Sequence, residues 1–434
     1  MTQNSKGLSL FALIMIAIGS TIGSGVFKTP TDIAQAVPDV FSMSVLWILG
    51  GVVSMVGALV FAELGTKITQ AGGVYSYLRE TIGELPAFLY GWCLLTVVSS
   101  GTIAALIVVF ADYMQKFLGY SDQLIPLVAA IAIVVLTLFN AFSLKGSEWF
   151  ANIATILKMI GIFGVIIILL FMDQSATGND ALVGMASQSE FNWAKAFVGV
   201  LWSYTGWHYA SFVSGDAKNP KRDVPMAMII GTLTVTLIYV LCNLGYTHVM
   251  SITEIQNTKT LAADAMERVW VGSGFWVSIL IALSVFGCAG LYILATPRII
   301  QQMSKEGVFF KTFATAHPQF GVPLNAIIMQ SVWAIVLVFV WGKFEALYTY
   351  VTITEWFFLL LTALGFVIYV LGRKKEGLSL RTVIFIVLSF AFSAVVTWFI
   401  VANAQSDNPA VYYGLLVIPI GAVVYFVMKS SSKK

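Results

Sequence analysis

The residues able to do chemistry fall in two short stretches and at a few isolated charges. Gly19, Ser20, Thr21, Gly23, Ser24 and Gly25 sit together inside a run that is otherwise apolar through Ile18, Ile22, Val26 and Phe27. Glycine costs about 1 kcal/mol in a helix interior relative to alanine, so this density predicts an interruption. Beyond it, the N–H groups of Ser24, Gly25 and Val26 stand at a helix N-terminus, where free donors and the helix dipole favour a carboxylate. Before it, carbonyls near Thr21 are released and can accept from an ammonium group. A second stretch, Trp202, Ser203, Tyr204, Thr205, Gly206, Trp207, His208 and Tyr209, is polar and aromatic, with a freed carbonyl at Trp202. Donors for a carboxylate beside acceptors for an amine suit a zwitterion, and an α-amino acid is the expected ligand. Each stretch also has a plainer reading, as small-residue helix packing or as an aromatic belt. Gly19 and Gly23 keep the four-residue packing interval. Ser20, Ser24 and Gly25 spread the small residues around the helix, and they favour the interruption.

Lys158 lies deep in an apolar run, where a lysine costs on the order of 3 kcal/mol and marks either a wet cavity or a functional contact. Glu355 lies in another such run, and a structural and a functional role are both open for it. His208, beside the second interruption, either serves a gate or is a satisfied interior residue. Enzyme signatures are missing. His208, His248 and His317 have no metal-ligand spacing, so no metal is expected. Gly23 and Gly25 lack the third glycine and preceding strand of a dinucleotide loop, and no phosphate-binding P-loop is present. No cofactor is expected, and ATP-driven transport by this chain alone is excluded.

The elements that must position these residues follow from composition. The 434 residues are 59% hydrophobic and only 10% charged, with a mean hydropathy of +0.88, against about 25% charged in soluble domains. This excludes ordinary soluble, secreted and disordered classes and predicts a polytopic membrane protein with the lipid bilayer as its main partner. Runs such as 157–171, apolar apart from Lys158, do not alternate, which argues for helices over a β-barrel. Twelve spans are expected, at 8–36, 43–64, 85–117, 124–142, 149–172, 194–213, 225–250, 274–303, 323–341, 344–372, 383–403 and 411–428. Lys and Arg concentrate in the loops on the side of the N-terminus, which places both termini in the cytoplasm. No signal peptide is expected before the first span. The polar stretches 173–193, 251–270 and 305–322 are too short for a separate domain, and the last two are expected to hold short interfacial helices. The small net charge of +3 gives no indication of nucleic-acid binding. Cys93, Cys242 and Cys288 read as buried apolar residues.

The interruptions fall in the first and sixth spans, at corresponding places in two halves, which is a pointer to a transporter binding site. Spans one to five (8–172) and six to ten (194–372) then form inverted repeats, with 383–428 appended, in one transmembrane domain.

Several motifs carry a resemblance. Gly23-Ser24-Gly25-Val26-Phe27 with Thr29-Pro30 resembles a signature of the amino acid–polyamine–organocation superfamily. Glu63-Leu64-Gly65, Gly72-Gly73-Val74-Tyr75, Tyr204-Thr205-Gly206-Trp207, Lys218-Asn219-Pro220 and Ser284-Val285-Phe286-Gly287-Cys288 extend the likeness along nearly the whole chain. The chain resembles the L-amino-acid-transporter branch, with most likeness to bacterial exchangers of the alanine–serine–cysteine and serine/threonine type. The resemblance implies a leucine-transporter-type fold in a bacterial plasma membrane and sodium-independent exchange of small neutral L-amino acids. It implies substrate contacts at Thr21, Ile22, Gly23, Ser24, Gly25, Trp202, Thr205 and Gly206, with Trp202 as a gate. It also implies that Lys158 replaces a sodium ion; the Gly19 carbonyl and the Ser284 hydroxyl, at similar depth, are its expected partners, and Tyr239 is expected as a further hydroxyl donor toward it. Animal members carry a cysteine between the third and fourth spans that links a partner glycoprotein. Residues 112–123 contain none, so no disulfide-linked heavy chain is expected. A proton-coupled amino acid or polyamine importer, and a membrane-embedded enzyme or channel, are the alternatives.

Overall fold

The computed structural model describes residues 7–37, 39–142, 144–172, 191–373 and 379–431. The polar stretch expected at 173–193 falls outside them up to residue 190. Among the described residues the regular elements are helices, with one isolated bridge between Leu8 and Ala217. In chain order they are α1 (Leu10–Thr21), α2 (Gly25–Ala36), α3 (Val40–Lys67), α4 (Val74–Thr81), α5 (Glu84–Cys93), α6 (Ser100–Leu118), α7 (Ile125–Phe142), α8 (Leu144–Phe171) and α9 (Trp193–Tyr204). After a 3-10 segment at Trp207–Asp216 follow α10 (Pro220–Val249), α11 (Ile252–Asn257), α12 (Leu261–Val269), α13 (Ser273–Lys305), α14 (Leu324–Trp341), α15 (Phe344–Gly372), α16 (Leu380–Ala404) and α17 (Pro409–Ser431). A π-helical turn, Leu94–Ser99, joins α5 to α6.

Among the described residues, ten stretches are long and apolar enough to cross a membrane. The expected fifth span lies on the 28-residue helix α8, and the sixth span is divided into α9 and the 3-10 segment. The stretch 251–270 holds α11 and α12 as expected. The stretch 305–322 holds only a 3-10 turn at Lys311–Phe313, since Gly307 turns into the left-handed region and Pro318 and Pro323 withhold helix donors.

Packing follows from which faces carry apolar bulk. On α8, Ile156, Ile160, Phe163 and Ile167 are exposed at helical intervals, a stripe suited to lipid. Lys158 points the other way and is buried. The α5–α6 unit is almost wholly enclosed, with α13, α14 and α15 packed on α6. Helix α10 lies along α3 and α1, and α2 lies along α9. The two interrupted spans are therefore brought together at the centre of the bundle.

Candidate functional site

Helix α1 ends because Ile22 leaves helical geometry, with ψ of 89°. Gly23 N–H closes a tight turn on the Thr21 carbonyl at 2.9 Å, and α2 starts at Gly25. The N–H groups of Ser24, Gly25 and Val26 find no acceptor among the described residues. The Ser24 hydroxyl is buried and also unpartnered. Four donors thus converge where a helix begins, as expected for an anion site.

The second break has a steric cause. Thr205 is extended, and Gly206 has φ of +127°. A Cβ on Gly206 would lie 2.6 Å from the Ser20 carbonyl oxygen, so the two backbones meet here and only glycine fits. Ser20 Oγ donates to the Gly206 carbonyl at 3.1 Å. The approach is equally close at Gly25, where a Cβ would lie 2.6 Å from Ser203 Cα. Thr29 and Ser203 hydroxyls, 2.8 Å apart, pin α2 to α9 beside it.

Between the breaks lies a narrow cavity of about 20 Å³, little more than the roughly 10–15 Å³ that one water molecule needs. Ser20, Thr21, Gly23, Ser24 and Gly25 form one wall, and Trp202 and Thr205 a second. The remaining wall is Thr102 and Leu106 from α6 with Cys288 and Tyr292 from α13. Those four were not singled out as ligand contacts in the sequence, because each is an ordinary residue in an apolar helix and only packing turns it inward. Trp202 packs on Phe344 and Tyr348 at centroid distances of 6.1 and 6.0 Å. Thr205 Oγ1 donates to the Leu201 carbonyl and accepts from Trp356 Nε1 at 2.9 Å, so it shapes the cavity with its hydroxyl already engaged. Ile22 and Gly206, expected as substrate contacts, do not line the cavity. The Ile22 carbonyl is taken by Lys158, and the Gly206 carbonyl by Ser20 and the Tyr209 N–H.

Lys158 Nζ donates to the Gly19 carbonyl at 2.8 Å and, closer still, to that of Ile22. The Gly19 contact is the one expected. The Ser284 contact is not made, and Ser284 Oγ is buried without a partner. The turn at Ile22 swings its carbonyl out of α1 toward α8, and that acceptor takes the place expected for the hydroxyl. Tyr239 also departs from expectation. Its hydroxyl reaches the carbonyls of Thr21 at 3.0 Å and Ser203 at 2.9 Å. Both carbonyls lie at helix ends, where the usual intrahelical donor is lost, and Tyr239 bridges the two broken helices.

His208 and Glu355, weighed separately in the sequence, meet inside the bundle. His208 Nε2 lies 3.3 Å from Glu355 Oε1, both side chains essentially unexposed. The Tyr209 hydroxyl is 3.4 Å from the same oxygen.

A bundle of membrane-length helices with a cavity between paired helix breaks is the setting in which membrane carriers hold their substrates. The sequence comparisons give the family. The chain matches the amino acid permease family over residues 8–424 and belongs to it. This is a transporter family, which removes the enzyme alternative. Among relatives, the mouse (Mus musculus) b(0,+)-type amino acid transporter 1 is 30% identical, covering 98% of this chain and 88% of that protein. The serine/threonine exchanger SteT of Bacillus subtilis (strain 168) is 32% identical over 76% of each chain. The human (Homo sapiens) cystine/glutamate transporter is 27% identical over 100% of this chain and 87% of its own. The expectation of no disulfide-linked heavy chain is not borne out by these comparisons, which include animal members of the kind for which such a partner is implied.

Proposed function

We propose that the chain exchanges small neutral L-amino acids, of the alanine, serine and cysteine class, across the plasma membrane by alternating access and without sodium. The observation that carries this reading is the cavity at the first break, where three unpartnered N–H groups and the Ser24 hydroxyl converge beside Thr21 and Trp202. The donors bind the substrate carboxylate. The Trp202 carbonyl at the second break, which takes the Thr205 N–H at 3.1 Å, receives its amine, whereas the Thr21 carbonyl is already held by the Gly23 N–H and the Tyr239 hydroxyl. Trp202 closes over the ligand and excludes water, and Leu106, Cys288 and Thr205 crowd the cavity so that only a short side chain is accepted. Lys158 supplies the fixed positive charge that ties α1 to α8, a role open to a sodium ion in related folds. Such a built-in charge lets the loaded carrier cross readily. The empty carrier crosses slowly, so exchange exceeds net flux.

The reading includes twelve spans with both termini in the cytoplasm, and inverted repeats at 8–172 and 194–372 followed by 383–428. The paired interruptions of α1/α2 and of α9 with the 3-10 segment support it. Names of relatives support the class of substrate more than its size, since they include both a serine/threonine exchanger and a cystine/glutamate transporter. Competition for serine uptake in proteoliposomes tests the specificity. Alanine, serine and cysteine are expected to compete strongly, and leucine and tryptophan weakly. Strong inhibition by tryptophan with none by alanine would reject it.

A further inference from the structure

We propose that His208 and Glu355 share one proton and form a latch between the 3-10 segment and α15, and that exchange requires this proton each time the bundle closes. The inference rests on the exchanger reading above.

The pair has unusual surroundings. His208 follows the break at Gly206 by two residues, so it rides on the segment that must tilt if the break acts as a hinge. Glu355 sits on the unbroken α15. The facing atoms are 3.3 Å apart, yet neither nitrogen of His208 makes a hydrogen bond among the described residues. Phe61, Trp207 and Phe212 wall the imidazole. No lysine or arginine among the described residues forms an ion pair with Glu355. The other titratable groups facing the carboxyl are phenols: Tyr209 from the same segment as His208, Tyr90 from α5 and Tyr292 from α13.

A carboxylate enclosed this way without a cation is costly. The closed pair is therefore neutral overall, as imidazolium with carboxylate or as imidazole with carboxylic acid, which differ only in the atom that holds the proton. Tilting the 3-10 segment separates the two groups and admits water. The proton can then pass to a water molecule, leaving a neutral imidazole and a hydrated carboxylate. That form cannot re-enter the closed bundle until a proton returns. Tyr209 links the latch to the cavity, since its ring lies 5.5 Å from that of Tyr292, a cavity wall. The pair is thus a positioning device for closure and does not itself touch substrate.

The test is serine exchange in proteoliposomes with the pH varied on one side at a time. Wild-type exchange should fall by up to about tenfold per pH unit above the pH at which the pair loses its proton, on one side only. Glu355→Gln keeps the shape and removes the titration. It should exchange with a flat profile on that side, whereas His208→Gln leaves a carboxylate that still needs a proton to close and should keep a pH-dependent profile. Tyr209→Phe removes no titrating group at neutral pH and should keep the wild-type profile. Should both pair variants be inactive, infrared spectra of purified protein decide the matter. A protonated-carboxyl band that titrates in wild type and is absent in Glu355→Gln supports the latch, and its absence from wild type overturns it. An unchanged pH profile in Glu355→Gln, or a flat one in wild type, also overturns it. Absence of exchange in wild type at every pH would instead reject the exchanger reading.

Discussion

At the scale of single residues, Lys158 and Cys288 make the sharpest statements. The Lys158 ammonium holds two carbonyls released by the first break. Hydrogen bonds to a charged donor contribute about 1.5–3 kcal/mol each. Lys158→Ala is therefore expected to slow exchange by about tenfold or more at equal protein density, whereas Ser284→Ala, which removes an unpartnered hydroxyl, leaves it near wild type. Initial exchange rates of the two variants check this, and the reverse order would return the coupling role to Ser284. All three cysteines are free and buried, but only Cys288 lines the cavity. A small thiol reagent should inhibit exchange, alanine should protect against it, and Cys288→Ala should be resistant. Inhibition that persists in Cys288→Ala would place the reactive thiol elsewhere.

At the scale of elements, the breaks are set by backbone contact as much as by helix propensity. Gly206→Ala adds a Cβ against the Ser20 carbonyl at a φ that resists side chains. It should abolish exchange and lower thermal stability in detergent, and normal activity would show that the backbones do not meet here. The N-terminus of α13 offers a second test. Glu267 accepts from the N–H groups of Gly272 and Gly274, each at 2.8 Å, and these bonds hold its carboxyl below the usual range. A depressed value means that the cap contributes at neutral pH and is lost as pH falls through the folded-state value. Glu267→Gln should lower the melting temperature by roughly 1–2 °C at pH 7, with the difference vanishing in acid. A difference that grows in acid would contradict the cap.

Much of this arrangement was legible in the chain itself. Glycine and serine crowded into apolar runs betrayed the first break, and a lysine in such a run had to find acceptors. What was not legible depends on how helices register against one another. That register decides whether Lys158 reaches Ile22 or Ser284, and it turns Thr102, Leu106, Cys288 and Tyr292 inward. The meeting of His208 with Glu355 joins residues far apart in sequence, each flanked by aromatic residues that fit a packing role equally well.

At the scale of the whole molecule, ionic contacts mark two ends of the bundle. At one, Lys28 binds Asp112 at 2.9 Å and Lys116 binds Asp264 at 2.5 Å, fastening α2 to α6 and α6 to α12. At the other, Arg79 pairs with Glu306, and Arg381 binds Glu63 at 2.7 Å. The cavity lies between, as alternating access from two sides requires. In the proposed cycle Lys158, bonded to α1 carbonyls from α8, takes the place of sodium. The most direct test of the account is efflux of radiolabelled serine preloaded into proteoliposomes, with choline replacing sodium throughout. External alanine or serine should accelerate efflux severalfold over buffer alone, and adding sodium should change nothing. Efflux that is indifferent to external amino acid, or that strictly requires sodium, would contradict it.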